Sequence, residues 1–258
     1  MKNVRLTICL TAAVLFMAAG QGFGIAFNDG GTYNINYTIN DGVYVDEADE
    51  ASGMQTTLNL LEGGSINSVL VAFHNSQVTI TGGTVGSVVQ TYDSSQVKMF
   101  GGTVNALYAC GNSQITMSGG TVGDALYATN NGQLTITDGT LGFGLSASGD
   151  SRVTMSGGTI ARGSLYFGMQ LQEQMILAIS GFDFAIDGIH VGFGEITSQL
   201  GGIWYNDPVR RLTGTLANGD KFDNQFLIGN TAKIVLVPEP ATLLLLGLGG
   251  LVLRRKNH

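Results

Sequence analysis

The amino-acid sequence predicts an all-β fold, a parallel β-helix or β-solenoid of about seven turns with 18–19-residue repeats, a β-rich C-terminal cap and a short C-terminal transmembrane helix. Three observations predict it. A glycine pair recurs at near-constant spacing, apolar and small polar residues alternate ahead of each pair, and the last residues form a three-part tail unlike the rest.

The repeat emerges when the chain is stacked on its glycine pairs. Thr84, Thr103, Thr121, Thr140 and Thr159 each follow such a pair, at intervals of 19, 18, 19 and 19 residues, with Asp138-Gly139 replacing the pair in one copy. A degenerate copy, Gly63-Gly64-Ser65-Ile66, lies upstream, and a later one begins near Met175. Within the copies Val78 and Ile80, Val97 and Met99, Ile115 and Met117, Leu134 and Ile136, and Val153 and Met155 alternate with polar residues, which is the period of a strand. Ser68–Ala72, Ala106–Ala109 and Ala125–Ala128 supply a second segment, so two strands per repeat are expected. Strands this short bury no core alone, and stacking equivalent strands into parallel ladders solves that problem. Gly82-Gly83 and its counterparts supply the positive φ of a tight corner. Asn75, Ser94, Asn112, Asn131 and Asp150 share the opposite corner, where short polar side chains bond the local backbone and stack as a ladder.

Open ladder ends invite strand addition, so caps are expected. Gly31 to Glu50 departs from the repeat and holds the acidic group Asp46, Glu47, Asp49 and Glu50, read as a solvated loop with weak calcium binding as the alternative. Gly188 to Val237 carries Leu212–Leu216, an Asn218-Gly219 hairpin signal, Phe222–Ile228 and Thr231–Val237, a β-rich cap.

The chain ends carry address-like patterns. Lys2 and Arg5 precede an apolar core from Leu6 to Ala19 and then small residues, the layout of a secretory signal peptide, with cleavage after Gly20 or Ala26. Cys9 falls inside that segment, so Cys110 is left as one cysteine without a disulfide partner, read as a small packed side chain. Between residues 27 and 237 there are 18 acidic against 7 basic side chains. That balance argues against nucleic acid as a partner.

At the other end, Pro238 and Pro240 bracket Glu239 directly before the apolar run Ala241 to Leu253 and the basic cluster Arg254, Arg255 and Lys256. Proline lacks an N–H and disfavours helix in the residue before it, which separates the preceding strand from the helix that follows. The apolar run at about 1.5 Å per residue spans roughly 20 Å, short of a stable bilayer crossing, and Gly247, Gly249 and Gly250 weaken it further. The basic end favours the cytoplasmic side, leaving the body outside.

This tail resembles the PEP-CTERM sorting signal of Gram-negative bacteria. The resemblance covers about the last 22 residues. It implies processing by an exosortase that recognises Pro238, Glu239 and Pro240, with Arg254, Arg255 and Lys256 as the basic end of the signal. The wider layout, including Leu212–Leu216 and Ala232–Leu236 ahead of the motif, resembles adhesin-like repeat proteins of the PEP-CTERM group.

An enzymatic β-helix needs clustered acids or bases on one face. The repeat offers Asp93, Asp124, Asp138 and Asp150, mostly in different columns, and His74 and His190 have no companion at ligand spacing. No catalytic residue, metal site or cofactor is therefore expected. Thr79, Thr116, Thr135 and Thr154 share an outward column with Lys98, and Thr81, Ser118, Thr137 and Ser156 share another with Phe100. Such arrays resemble the faces of ice-binding solenoids, although threonine also simply suits exposed strand positions. Tyr108, Tyr127 and Tyr166 are either ladder residues or sugar-stacking ones.

The expected organisation is a signal peptide (1–26), a β-solenoid with its N-terminal cap (27–187), a β-rich C-terminal cap (188–236) and the sorting signal with its membrane helix (237–258). The expected protein is secreted, non-enzymatic, and structural or adhesive. It lies in the cell envelope or extracellular matrix after transient inner-membrane anchoring. Its partners are the general secretion machinery, an exosortase and extracellular polysaccharide. The alternatives are a carbohydrate-binding or polysaccharide-degrading β-helix and an ice-binding solenoid.

Overall fold

A computed structural model describes residues 24–47, 53, 55–161, 168–197, 210–229 and 231–239. Those residues are all-β, forming one large and mostly parallel sheet with no α-helix among them. The signal-peptide core, Asp49 and Glu50 of the acidic group and everything from Pro240 onward lie outside them.

The strands pair as three ladders. The first runs through β2 (Thr32–Ile35), β5 (Thr57–Leu60), β8 (Gln77–Ile80), β10 (Gln96–Met99), the beginnings of β12 (Gln114–Val122) and β14 (Gln133–Leu141), β16 (Arg152–Met155), the beginning of β19 (Ile176–Ile186) and β24 (Lys233–Pro238), each parallel to the next. The second joins β3 (Thr38–Ile39), β6 (Ser65–Ile66), the beginnings of β9 (Thr84–Thr91) and β11 (Thr103–Ala109), the ends of β12 and β14, and β17 (Thr159–Ile160). The third joins β1 (Ile25–Phe27), β4 (Val43–Val45), β7 (Leu70–Ala72), the ends of β9 and β11, β13 (Ala125–Ala128), β15 (Gly144–Ala147), β18 (Met169–Leu171) and the end of β23 (Lys221–Ile228).

Two expectations are corrected here. Each repeat pairs in three ladders where two strands were expected, because the two residues after each glycine corner pair in a ladder of their own, too short to show a period. The first ladder is nine strands deep where seven turns were expected, about 40 Å at about 4.8 Å per strand. The additional strands come from both stretches read as caps. Residues 32–45 lack a glycine pair, yet Ile35, Ile39, Val43 and Val45 point inward and pair in register with the repeat.

The alternation does the sorting of side chains. Val78 and Ile80, Val97 and Met99, Ile115 and Met117, Leu134 and Ile136, and Val153 and Met155 are all buried, as are Leu107, Leu126 and Leu145 from the third ladder and Val85, Val104, Val122 and Leu141 from the second. Each such side chain contributes about 1.5–3 kcal/mol by leaving water. Cys110 is buried, as its reading as a packed side chain anticipates.

Two of the corners are specialised. Gly83, Gly102, Gly120, Gly139 and Gly158, the second corner residue in five copies, all have positive φ, and in the degenerate copy Gly63 does. At the opposite corner a left-handed residue recurs at His74, Asp93, Gly111, Asn130, Gly149 and Glu173, immediately before the predicted asparagine column. Asn131 Nδ2 donates to Asn112 Oδ1 at 2.9 Å in that column, and Asn59 and Asn34 form a similar pair elsewhere. Ser76, Ser95, Ser113 and Ser151 form the next column, fully buried. Ser95 Oγ donates to the Tyr92 carbonyl at 2.7 Å, and Ser113 Oγ lies 2.7 Å from Thr91 Oγ1. Asp46, assigned from sequence to a solvated loop, is fully buried: its carboxylate accepts from Thr56 N at 2.9 Å and Thr56 Oγ1 at 2.5 Å.

The C-terminal segment both extends the ladders and covers them. β22 (Arg210–Leu216) runs antiparallel between β19 and β23, with Asn218 and Gly219 in the connecting turn. The hairpin signal thus holds, while β23 and β24 also extend the third and first ladders in parallel.

Candidate functional site

β24 brings the sorting motif to the body. Its sequence Lys-Ile-Val-Leu-Val-Pro alternates, so Ile234 and Leu236 face the core while Val235 and Val237 are half-buried. Six residue pairs join it in parallel to β19, ending with Gly181 opposite Pro238, and β21 (Gly194–Glu195) pairs antiparallel with Leu236 and Val235 on its other edge. Pro238 ends the strand. Having no N–H to give a further partner, it suits the last position of a paired strand. Glu239 follows and is half-buried. Pro240, Arg254, Arg255 and Lys256 lie outside the described residues, as does the expected membrane helix. No helix among the described residues is long and apolar enough to cross a membrane.

Residues 236–256 match the family model of the PEP-CTERM protein-sorting motif. The chain carries a PEP-CTERM sorting motif. The match begins at Leu236, so the first three matched residues are built into β24 and the PEP-CTERM signal grows out of the first ladder without a spacer. The motif indicates export and exosortase-dependent sorting to the cell envelope. No curated protein and no solved structure matches the chain.

The other residues singled out from sequence divide by column. Thr79, Lys98, Thr116, Thr135 and Thr154 do share one outward column, which continues into Ala178 and Val235. The second hydroxyl column is broken: a register shift pairs Ser118 with Asp138 instead of Thr137, and Phe100 stands exposed within it. Asp93 accepts from the His74 backbone N–H at 3.2 Å, and Asp138 accepts from the Gly139 N–H at 2.6 Å, so both acids serve corners. Among the described residues no group of three His, Cys, Asp or Glu side chains is placed to hold a metal ion.

Tyr108 and Tyr127 pair on adjacent strands of the third ladder, with ring centroids 4.3 Å apart and planes within 10° of parallel. Burial, with the neighbouring Tyr127, pushes the Tyr108 hydroxyl well above its ordinary range, and burial with the Asp124 carboxylate raises Tyr127. Tyr166 lies outside the described residues. Sequence reasoning missed Phe143 beside this stack, because it stands at a corner and outside any alternating run.

Proposed function

We propose that the protein is a non-enzymatic β-solenoid, exported through a cleaved N-terminal signal, that serves a structural or adhesive role in the cell envelope or extracellular matrix after exosortase processing. The observation that carries this reading is the PEP-CTERM motif joined directly to the last strand of the first ladder. Three parallel ladders, entered in the same order turn after turn, support the solenoid form. A rod of stacked turns presents long lateral faces, which suits scaffolding or adhesion. The corner roles of Asp93 and Asp138 support the non-enzymatic reading.

In this reading Pro238, Glu239 and Pro240 are recognised by the processing enzyme, and Arg254, Arg255 and Lys256 hold the tail's end on the cytoplasmic side until processing. The test is the intact mass of the protein recovered from its host's envelope and medium. The wild type is expected to lack the segment beyond the motif, whereas a Glu239→Ala variant retains it and stays with the membrane fraction. An uncut tail in both proteins would sink the sorting role of these residues.

The N-terminus gives a second expectation. Ile25, Ala26 and Phe27 pair with Val43, Tyr44 and Val45, so cleavage after Ala26 would cut through β1 and remove two of its three pairs. Cleavage after Gly20 leaves the strand whole. N-terminal sequencing of the exported protein is expected to begin at Gln21, and a start at Phe27 would refute this assignment.

A further inference from the structure

On the face of the third ladder a groove of about 330 Å³ is lined by Asp124, Tyr127, Phe143, Ser146 and Gln170. Its shape follows from the sequence of one outward column. Tyr108, Tyr127, Ser146 and Gln170 occupy successive rungs of that column. Two tyrosine rings fill their rungs and stack, and then a serine leaves the next rung almost empty. One face of Tyr127 is covered by Tyr108, and the other is left toward the space above Ser146. At the flank, Phe143 follows Asp124 one turn later, with its N–H bonded to the Asp124 carbonyl at 3.0 Å. Phe143 is 46% exposed, a large apolar residue open to water at the edge of a cavity.

We propose that this groove binds a pyranose ring of a neutral polysaccharide, seated as the third member of the Tyr108–Tyr127 stack. The C–H face of a sugar ring lies against an aromatic face, and the rungs of a parallel ladder are about 4.8 Å apart, close to the 4.3 Å between the two tyrosines. The ring's hydroxyls both donate and accept, and the groove offers groups of each kind: the Ser146 hydroxyl, the Gln170 amide and the acceptor-only Asp124 carboxylate. An aromatic peptide side chain in the same place would leave those three groups unpaired, at a desolvation cost it cannot return. The Asp124 carboxylate and the acidic body both disfavour a uronate or other anionic sugar. The volume sits at the lower end of the range of about 300–1,000 Å³ typical of small-ligand pockets, room for a single ring and part of its neighbour.

This deepens the adhesive reading above and rests on it for its setting, yet the two fail separately, because sugar binding is read on the purified chain and sorting is read from the mass of the tail. The experiment is affinity electrophoresis of the full chain, purified in detergent, through native gels containing hydroxyethylcellulose, mixed-linkage β-glucan, dextran or galactomannan. Wild type is expected to be retarded in at least one of them. Ser146→Tyr completes the stack with a third ring and is expected to abolish the retardation with the thermal midpoint unchanged; Phe143→Ala weakens affinity by about tenfold or more. Wild-type mobility unchanged in all four gels overturns the proposal, as does retardation that survives Ser146→Tyr. Binding of the tripeptide Gly-Tyr-Gly without binding of any polysaccharide assigns the groove to an aromatic side chain and overturns it equally.

Discussion

Replacing Gly83 by alanine is expected to destabilise the protein by about 3 kcal/mol or more, measured as a loss of unfolding free energy in denaturant. Two causes add. Gly83 has φ +70°, a left-handed conformation that costs an L-residue about 1–2 kcal/mol. A Cβ at this position would also lie 2.4 Å from the Gly64 carbonyl oxygen and 2.7 Å from that of Leu61, both backbone atoms of the preceding turn. They cannot retreat without opening the ladder, since Gly64 O accepts the Thr84 N–H at 3.0 Å. Gly219 separates the two causes. It has φ +96° with nothing within 4 Å of an added Cβ, so Gly219→Ala is expected to cost about 1–2 kcal/mol, the conformational share alone. Equal losses at the two positions would refute the close-approach argument.

The second large effect is expected at Asp46. Asp46→Ala removes the acceptor for both the Thr56 N–H and its hydroxyl, in a place where neither reaches water, since Thr56 is also fully buried. Stranded buried donors cost about 1–3 kcal/mol, and alanine is also a poor occupant of φ +54°. The expected total is about 2–4 kcal/mol. Asparagine keeps one oxygen acceptor and tolerates the left-handed region, so Asp46→Asn should recover most of the loss. The Thr56 hydroxyl also accepts from the Gly30 N–H at 2.9 Å, so the damage should reach the loop before β2. Hydrogen exchange at Gly30 and Thr56 checks this. Protection unchanged in Asp46→Ala would show that the carboxylate does not hold this corner.

The parts of the fold legible in the sequence were those with a period. Five copies of alternating residues ahead of a glycine corner specify the first ladder from β8 to β16, and the successive pairing of Val78, Val97, Ile115, Leu134 and Val153, each with the next, follows the stacked sequences residue for residue. The Met175 copy is also in place, with Val153 opposite Leu177. What escaped was everything without a period of its own. A two-residue strand such as Ser65–Ile66 has no alternation to detect and is defined only by its neighbours in the ladder. Residues 32–45 lack the glycine corner that marks the other copies. The burial of Asp46 depends on Thr56, ten residues away, and the groove beside Tyr127 depends on a serine following two tyrosines in the column. The motif at Pro238 was legible for the opposite reason, since it is local and requires no partner to be read.

The first ladder keeps its register although the chain between paired positions varies: Thr32 meets Thr57, Gln77 meets Gln96, Gln96 meets Gln114, Arg152 meets Ile176, and Ile176 meets Lys233. Extra chain in these connections leaves that register unshifted. Doubling the length of such a loop costs only about 0.6 kcal/mol in closure entropy, whereas a one-residue slip in a strand would turn its buried face to water. The interior is therefore indifferent to what is spliced into its rim. A gene for such a protein can gain or lose whole repeats, or acquire a new surface loop, without rewriting a single inward-facing residue.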